Sequence, residues 1–166
     1  MNRFVGILTF LFVVCAVVEC KKQIPEKFLG SWDLKESENF ENYLVARGFN
    51  WFMRQIITYS PVTKTFEKSV KIEGTYNAFI LTPTKEARWY GWSLGTPFTG
   101  IYVDDDQHKI VFDYDEATDT LTEKHENLDK KDEPKDLLRY QVTKENRLVM
   151  MIEAQNVSSK RFYDKQ

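Results

Sequence analysis

Leu148-Val149-Met150-Met151-Ile152-Glu153-Ala154-Gln155-Asn156-Val157-Ser158-Ser159-Lys160-Arg161-Phe162-Tyr163 is the stretch whose reading decides the fold. Successive side chains of an extended strand point to opposite faces. Leu148, Met150 and Ile152 therefore share one face, Asn156 supplies a turn, and Ser159, Arg161 and Tyr163 share a face beyond it. Two alternating runs joined by a turn read as an antiparallel hairpin. The same pattern continues upstream as far as Val62. Short runs rich in Val, Ile, Thr, Phe and Tyr are broken by turn signals at Glu73-Gly74, Pro83-Thr84, Gly95, Asp104 to Asp106, Asp115 to Asp119, Lys130 to Pro134 and Glu145-Asn146. Ahead of them the period changes. Phe40, Tyr43 and Leu44 follow Asn39 at helical spacing and end at Gly48, a residue suited to a left-handed C-cap. Phe49, Phe52, Met53 and Ile56 form a second stripe that Pro61 stops. With Ser31 to Lys35 as the first strand, the expectation is all-β: a closed, ten-stranded up-and-down antiparallel β-barrel with a two-helix cap between the first and second strands.

Composition narrows the class. The chain has 166 residues, 42% hydrophobic and 29% charged, with a formal net charge of −2. A near-neutral chain without a clustered basic surface argues against nucleic acid as a partner. Arg3 precedes a run from Phe4 to Val18 in which 13 of 15 residues are apolar, and polar residues follow. Such a run reads as a secretory signal peptide over residues 1–20, cleaved after Cys20. An uncleaved anchor is the alternative, although fifteen helical residues span about 22 Å, short of a hydrocarbon layer of roughly 30 Å. Cleavage would remove both cysteines, leaving a domain at 21–166 that depends on packing alone. Asn156-Val157-Ser158 is a sequon, an acceptor for N-glycosylation in a secreted chain.

Three motifs suggest chemistry and fail on context. Gly91-Trp92-Ser93-Leu94-Gly95 fits a nucleophile elbow and would make Ser93 the nucleophile of a small esterase. That motif needs a strand-to-helix turn, and strand signal follows it here. Two histidines without mature cysteine give no zinc set, and the aspartate groups at 104–106 and 113–119 lack the glycine and glutamate of a calcium loop. No cofactor is expected.

Gly30-Ser31-Trp32-Asp33-Leu34, followed after four residues by Asn39-Phe40-Glu41-Asn42-Tyr43-Leu44, resembles the N-terminal signature of the fatty-acid-binding proteins, the intracellular lipid-binding branch of the calycins. Leu94-Gly95-x-x-Phe98 and Arg161-Phe162-Tyr163 resemble a mid-chain and a C-terminal marker of that family, and a leader on such a chain resembles its exported nematode members. The resemblance implies a barrel with a water-filled interior beneath a helical portal.

Read from the residues, Arg161 faces solvent, pairs with an internal acid, or awaits the carboxylate of a ligand. The resemblance favours the third, with the Tyr163 hydroxyl as a further donor. The family's spacing to a second arginine lands on Gln141, and Arg139 shares its face, so both are candidates for contact with the head group. Leu148, Met150 and Ile152, with Phe49, Met53 and Ile56 beneath the cap, are candidates for the apolar wall. Trp51 either touches a membrane surface or folds back on a neighbouring loop. The expected function is a secreted, monomeric, non-catalytic carrier of long-chain fatty acid, with a retinoid or other neutral lipid as the alternative ligand.

Overall fold

A computed structural model describes residues 22–166; the signal-peptide reading of 1–20 lies outside them. The turn signals named above fall between strands, except that Asp115 is the last residue of the strand preceding its turn. The strands are β1 (Gly30–Glu38), β2 (Thr63–Lys68), β3 (Tyr76–Leu81), β4 (Glu86–Trp92), β5 (Phe98–Ile101), β6 (Gln107–Asp115), β7 (Thr120–Asn127), β8 (Asp136–Val142), β9 (Arg147–Ala154) and β10 (Val157–Lys165). Helices α1 (Phe40–Ala46) and α2 (Trp51–Tyr59) lie between β1 and β2. The β9–β10 reversal is a two-residue turn with Gln155 and Asn156 both at positive φ, which suits the right-handed twist of the flanking strands.

The ladder runs β4-β3-β2-β1-β10-β9-β8-β7-β6-β5, all antiparallel between neighbours, so β1 meets β10 and the sheet curls on itself. It does not close with hydrogen bonds: β4 and β5 are its two edges, which corrects the expectation of a closed ladder. Aromatic rings fill this seam instead. Trp92 stacks on Phe112 at 4.1 Å, and Phe98 lies over Phe112 at 6.2 Å. The Trp89 indole crosses the seam and donates to Ile101 O at 3.1 Å. Gly100 makes this crossing feasible, since a Cβ there would stand 2.6 Å from Trp89 Cδ1.

The end remote from the helices is shut by the segment ahead of β1. Phe28 is fully buried against Tyr114, and Ile24 N donates to Tyr76 Oη at 3.0 Å. Trp32, also fully buried, donates from Nε1 to Phe28 O at 2.9 Å. At the other end, α1 buries Phe40, Tyr43 and Leu44, the stripe read from sequence. Asn39 does precede α1, but it adopts a left-handed conformation and gives no side-chain cap; its Nδ2 donates instead to Ser158 O at 2.8 Å. Helix α2 is capped by Asn50, whose side chain accepts from Met53 N at 3.0 Å, and it buries no residue fully.

Gly100→Ala is expected to push Trp89 out of the seam and break its bond to Ile101. The cost is about 1–3 kcal/mol, the usual range for overpacking a filled core. Urea unfolding combined with a red shift in tryptophan emission checks it; an unchanged midpoint would show that the seam tolerates the methyl group.

Candidate functional site

The interior is built from alternate residues of each strand, and its polar members are few. On β10, Ser159, Arg161 and Tyr163 are buried, whereas Ser158 and Lys160 are exposed. Arg161 lies opposite Ser37 on β1 and Met150 on β9. Its Nε donates to Ser37 Oγ at 3.3 Å, and the guanidinium sits 4.1 Å from the centre of the Phe40 ring on α1. Its Nη2 is buried without a partner, and no carboxylate pairs with it among the described residues. The Tyr163 hydroxyl has a soft contact, to Met150 Sδ at 3.9 Å. Burial raises the Tyr163 phenol above its ordinary value while the Arg161 charge pulls it down; the net effect is upward, so the hydroxyl stays a donor.

A second group of inward charges balances internally. Lys64 Nζ on β2 donates to Tyr140 Oη at 2.6 Å and lies 3.4 Å from Glu123 Oε2. Tyr140 in turn donates to the same carboxylate oxygen, and His125 Nε2 meets Glu123 Oε1 at 2.6 Å. Burial alone would raise the Glu123 carboxyl, but Lys64, His125 and Tyr140 outweigh it and bring the group from an ordinary 4.5 to about 2. Desolvation lowers Lys64 against the opposing pull of Glu123. None of these four side chains is singled out by its local sequence as a binding residue. The available signal was phase: Lys64 alternates with Phe66, and Glu123 with Leu121 and His125.

Leu148, Met150 and Ile152 do face inward and are buried. Arg139 and Gln141 do not, which corrects their placement at a head group. Both are exposed on the outer face of β8, where Gln141 Nε2 donates to Thr118 O and Thr120 Oγ1. Tyr140 takes the inward position, opposite Met150 and Leu121, so counting by spacing missed the register by one residue and turned the strand over. Phe49, Met53 and Ile56 are also corrected as wall residues: they are 37%, 39% and 48% exposed. Helix α2 starts after Asn50 and turns Arg54, Ile57 and Thr58 toward the barrel, with Arg54 Nη1 bonded to Phe49 O at 3.0 Å. Trp51 stands free on the outer side of α2 and is not folded onto a loop. Asn156 is exposed at its turn.

Ser93 lies in the β4–β5 turn, where its carbonyl accepts from Thr96 N, and strand β5 follows, not a helix. Both histidines spend Nε2 on carboxylates, His125 on Glu123 and His108 on Asp104. The geometry required of a nucleophile elbow is missing. Two depressions on the outer surface, of about 560 Å³ beside α1 and about 470 Å³ beside Gln141, contain none of the inward polar groups. The chemistry therefore belongs to the interior, where Arg161 Nη2, Trp92 Nε1, His108 Nδ1 and His125 Nδ1 are all buried without partners. Buried polar atoms are seldom left so; they signal a bound water or ligand.

Glu123→Ala should cost about 3–5 kcal/mol by leaving Lys64 buried and uncompensated, while Lys64→Met combined with Glu123→Leu should cost much less. Because the folded-state value of Glu123 lies below its ordinary one, its contribution to stability is complete above about pH 4.5 and is lost as pH falls through about 2. Denaturant midpoints measured from pH 7 down to pH 2 check both; a Glu123→Ala variant as stable as the parent would contradict them.

Comparison with known proteins places the fold. No family model matches the chain. It is 38% identical over 168 residues to a fatty acid-binding protein homolog of Ascaris suum, covering 100% of both chains. It is 32% identical over 163 residues to fatty acid-binding protein homolog 3 of Caenorhabditis elegans, covering 98% of this chain and 96% of that one. The solved structure of As-p18, described as an extracellular fatty acid binding protein, matches with a TM-score of 0.83 and 38% identity over 87% of this chain and 100% of the other. From its barrel and these relatives, the chain belongs to the fatty acid-binding protein family.

Proposed function

We propose that the protein is a secreted, non-catalytic carrier that holds a long-chain fatty acid inside the barrel, with the carboxylate on Arg161 and Tyr163. The observation that carries this reading is the buried guanidinium with a free Nη2 and no acid beside it. Leaving a charge buried and unpaired costs several kcal/mol, and a carboxylate removes that penalty through a charge-assisted, two-pronged pair. A neutral retinoid would leave the charge uncompensated, so the acid is the better fit. The As-p18 relative, described as extracellular, supports secretion, as does the apolar leader.

The tail supplies affinity. Burying about fourteen methylenes at roughly 0.8 kcal/mol each gives a gross gain near 11 kcal/mol, before the cost of ordering the ligand. Met150, Leu148 and Ile152 offer apolar wall along β9. The exposed apolar side of α2, with Trp51 and Phe52 both more than 60% exposed, supports transient contact with a lipid surface at the portal.

Arg161→Ala is expected to weaken oleate binding about tenfold or more, the size of a charge-assisted hydrogen bond worth roughly 1.5–3 kcal/mol. Affinity for oleyl alcohol, of equal chain length, should change little. Competition against a fluorescent fatty acid measures both, and equal losses for acid and alcohol would remove the head-group role.

A further inference from the structure

The depression beside α1 lies outside the barrel, and its rim carries the chain's one sequon, Asn156-Val157-Ser158. Gln155 and Asn156 form the β9–β10 turn with φ of 46° and 65°, and both are exposed. Such a turn needs residues that tolerate the left-handed region, which explains an asparagine at 156 but not the serine at 158. Ser158 is exposed on the outer side of β10, alternating with the buried Ser159. Its carbonyl, not its hydroxyl, serves the fold, by accepting from Asn39 Nδ2 at 2.8 Å. An acceptor for N-glycosylation needs an asparagine at the surface and a hydroxyl two residues on. Both groups are presented here.

Topology keeps the sequon open while the chain is made. β1 pairs with β10, from Trp32 opposite Lys165 to Glu38 opposite Lys160, so the barrel wall is incomplete until β10 has been synthesised. The sequon leads β10 and enters a secretory compartment as unpaired chain. Once the barrel has folded, an exposed turn tip tolerates a bulky group without loss of a ladder bond. A sugar attached there meets a surface of matching character. The depression, about 560 Å³, is walled by Asn39, Asn42, Val45 and Ala46 on the α1 side and by Asn156 and Ser158 on the other. Val45 is 52% exposed, an apolar spot on an otherwise polar helix face. Asn42 Nδ2 donates to Asn39 Oδ1 at 2.6 Å, which leaves Asn42 Oδ1 as an acceptor. A pyranose ring has the same two characters, an apolar C–H face and a rim of hydroxyl donors.

We propose that the secreted protein carries an N-linked oligosaccharide on Asn156, and that its first N-acetylglucosamine ring lies in this depression, over Val45 and against Asn42. The inference rests on secretion and is independent of what the barrel holds. The sugar covers the anchored helix, whereas the apolar side of α2 is no part of this surface.

The test expresses the full chain with its own leader in a eukaryotic secretory host and takes the protein from the medium. Its intact mass should exceed that of the mature polypeptide by an oligosaccharide, and peptide N-glycosidase should remove the excess. Ser158→Ala should be secreted and folded without the added mass, while Ser158→Thr should keep it. Trimming the glycan to a single N-acetylglucosamine tests the seat of the first ring. The Val45 methyl resonances and the amide resonances of Asn42 and Ala46 should shift relative to the same mature chain made in bacteria, which differs only in the sugar. Those of Gly95, at the remote end, should not. Secreted, folded protein of unmodified mass overturns the proposal. A glycosylated protein whose α1 resonances match the bacterial chain overturns the seat of the ring. Absence of the protein from the medium overturns the secretion on which both rest.

Discussion

Charge balance inside the barrel depends on one guanidinium. Among the described residues, the fully charged side chains buried in the interior are Lys64, Glu123 and Arg161. Lys64 and Glu123 satisfy each other, with Tyr140 between them and His125 on the far carboxylate oxygen. Arg161 is left with a serine hydroxyl and the face of Phe40. A cation over an aromatic ring recovers about 0.5–2 kcal/mol, less than the desolvation of an arginine. The interior is thus one negative charge short, and a ligand carboxylate is the group that completes it. The placement of β10 between β1 and β9 and the seating of α1 both bear on this one side chain, since Ser37, Met150 and Phe40 come from three different elements.

Access to that charge is a matter of how tightly each part of the shell is held. The remote end is sealed by fully buried aromatics and by hydrogen bonds from the segment before β1. The helical end is looser. Helix α1 is anchored by three buried side chains and by Arg47, which pairs with Asp136 at 3.0 Å. Helix α2 is tied more weakly: Arg54 Nε lies 3.8 Å from Glu41 Oε1 on α1, no side chain of α2 is fully buried, and Thr58 Oγ1 is buried without a hydrogen-bond partner. Elements with few buried apolar contacts open at low free energy. The β4–β5 seam, closed by ring stacking in place of a ladder, is the other place where the wall can give without breaking a row of backbone bonds. A carrier needs such asymmetry: one end rigid enough to keep the barrel open, the other able to let a chain pass.

The strands and their reversals were legible because both faces of a barrel wall differ in polarity, so alternation appears directly in sequence, as at Ser159, Arg161 and Tyr163. Helix α1 was legible for the same reason at a different period. The errors share a cause as well. Arg139 and Gln141 were placed by counting across the β8–β9 reversal, and a miscount of one residue in a hairpin inverts every side chain of a strand. The stripe through Phe49, Met53 and Ile56 is a genuine apolar face, but a short helix over an opening can turn that face outward, and sequence does not say what lies below it. The Lys64–Glu123 pair was invisible for another reason. It joins β2 to β7 across 59 residues, and nothing local to either residue names the other.

Arg161 shows why an inward polar group is more informative in a carrier than an inward leucine. An apolar side chain in the interior is explained by packing whether or not a ligand exists. A polar atom held there without a partner is explained only by something that satisfies it, and the kind of atom constrains the kind of partner. Arg161 Nη2 is a charged donor and asks for an anion. A long chain with a carboxylate at its end meets that demand while its tail lies along the apolar wall of Leu148, Met150 and Ile152. Selectivity in such a barrel therefore comes from the few polar atoms, while the apolar wall sets only how tightly any chain of that length is held.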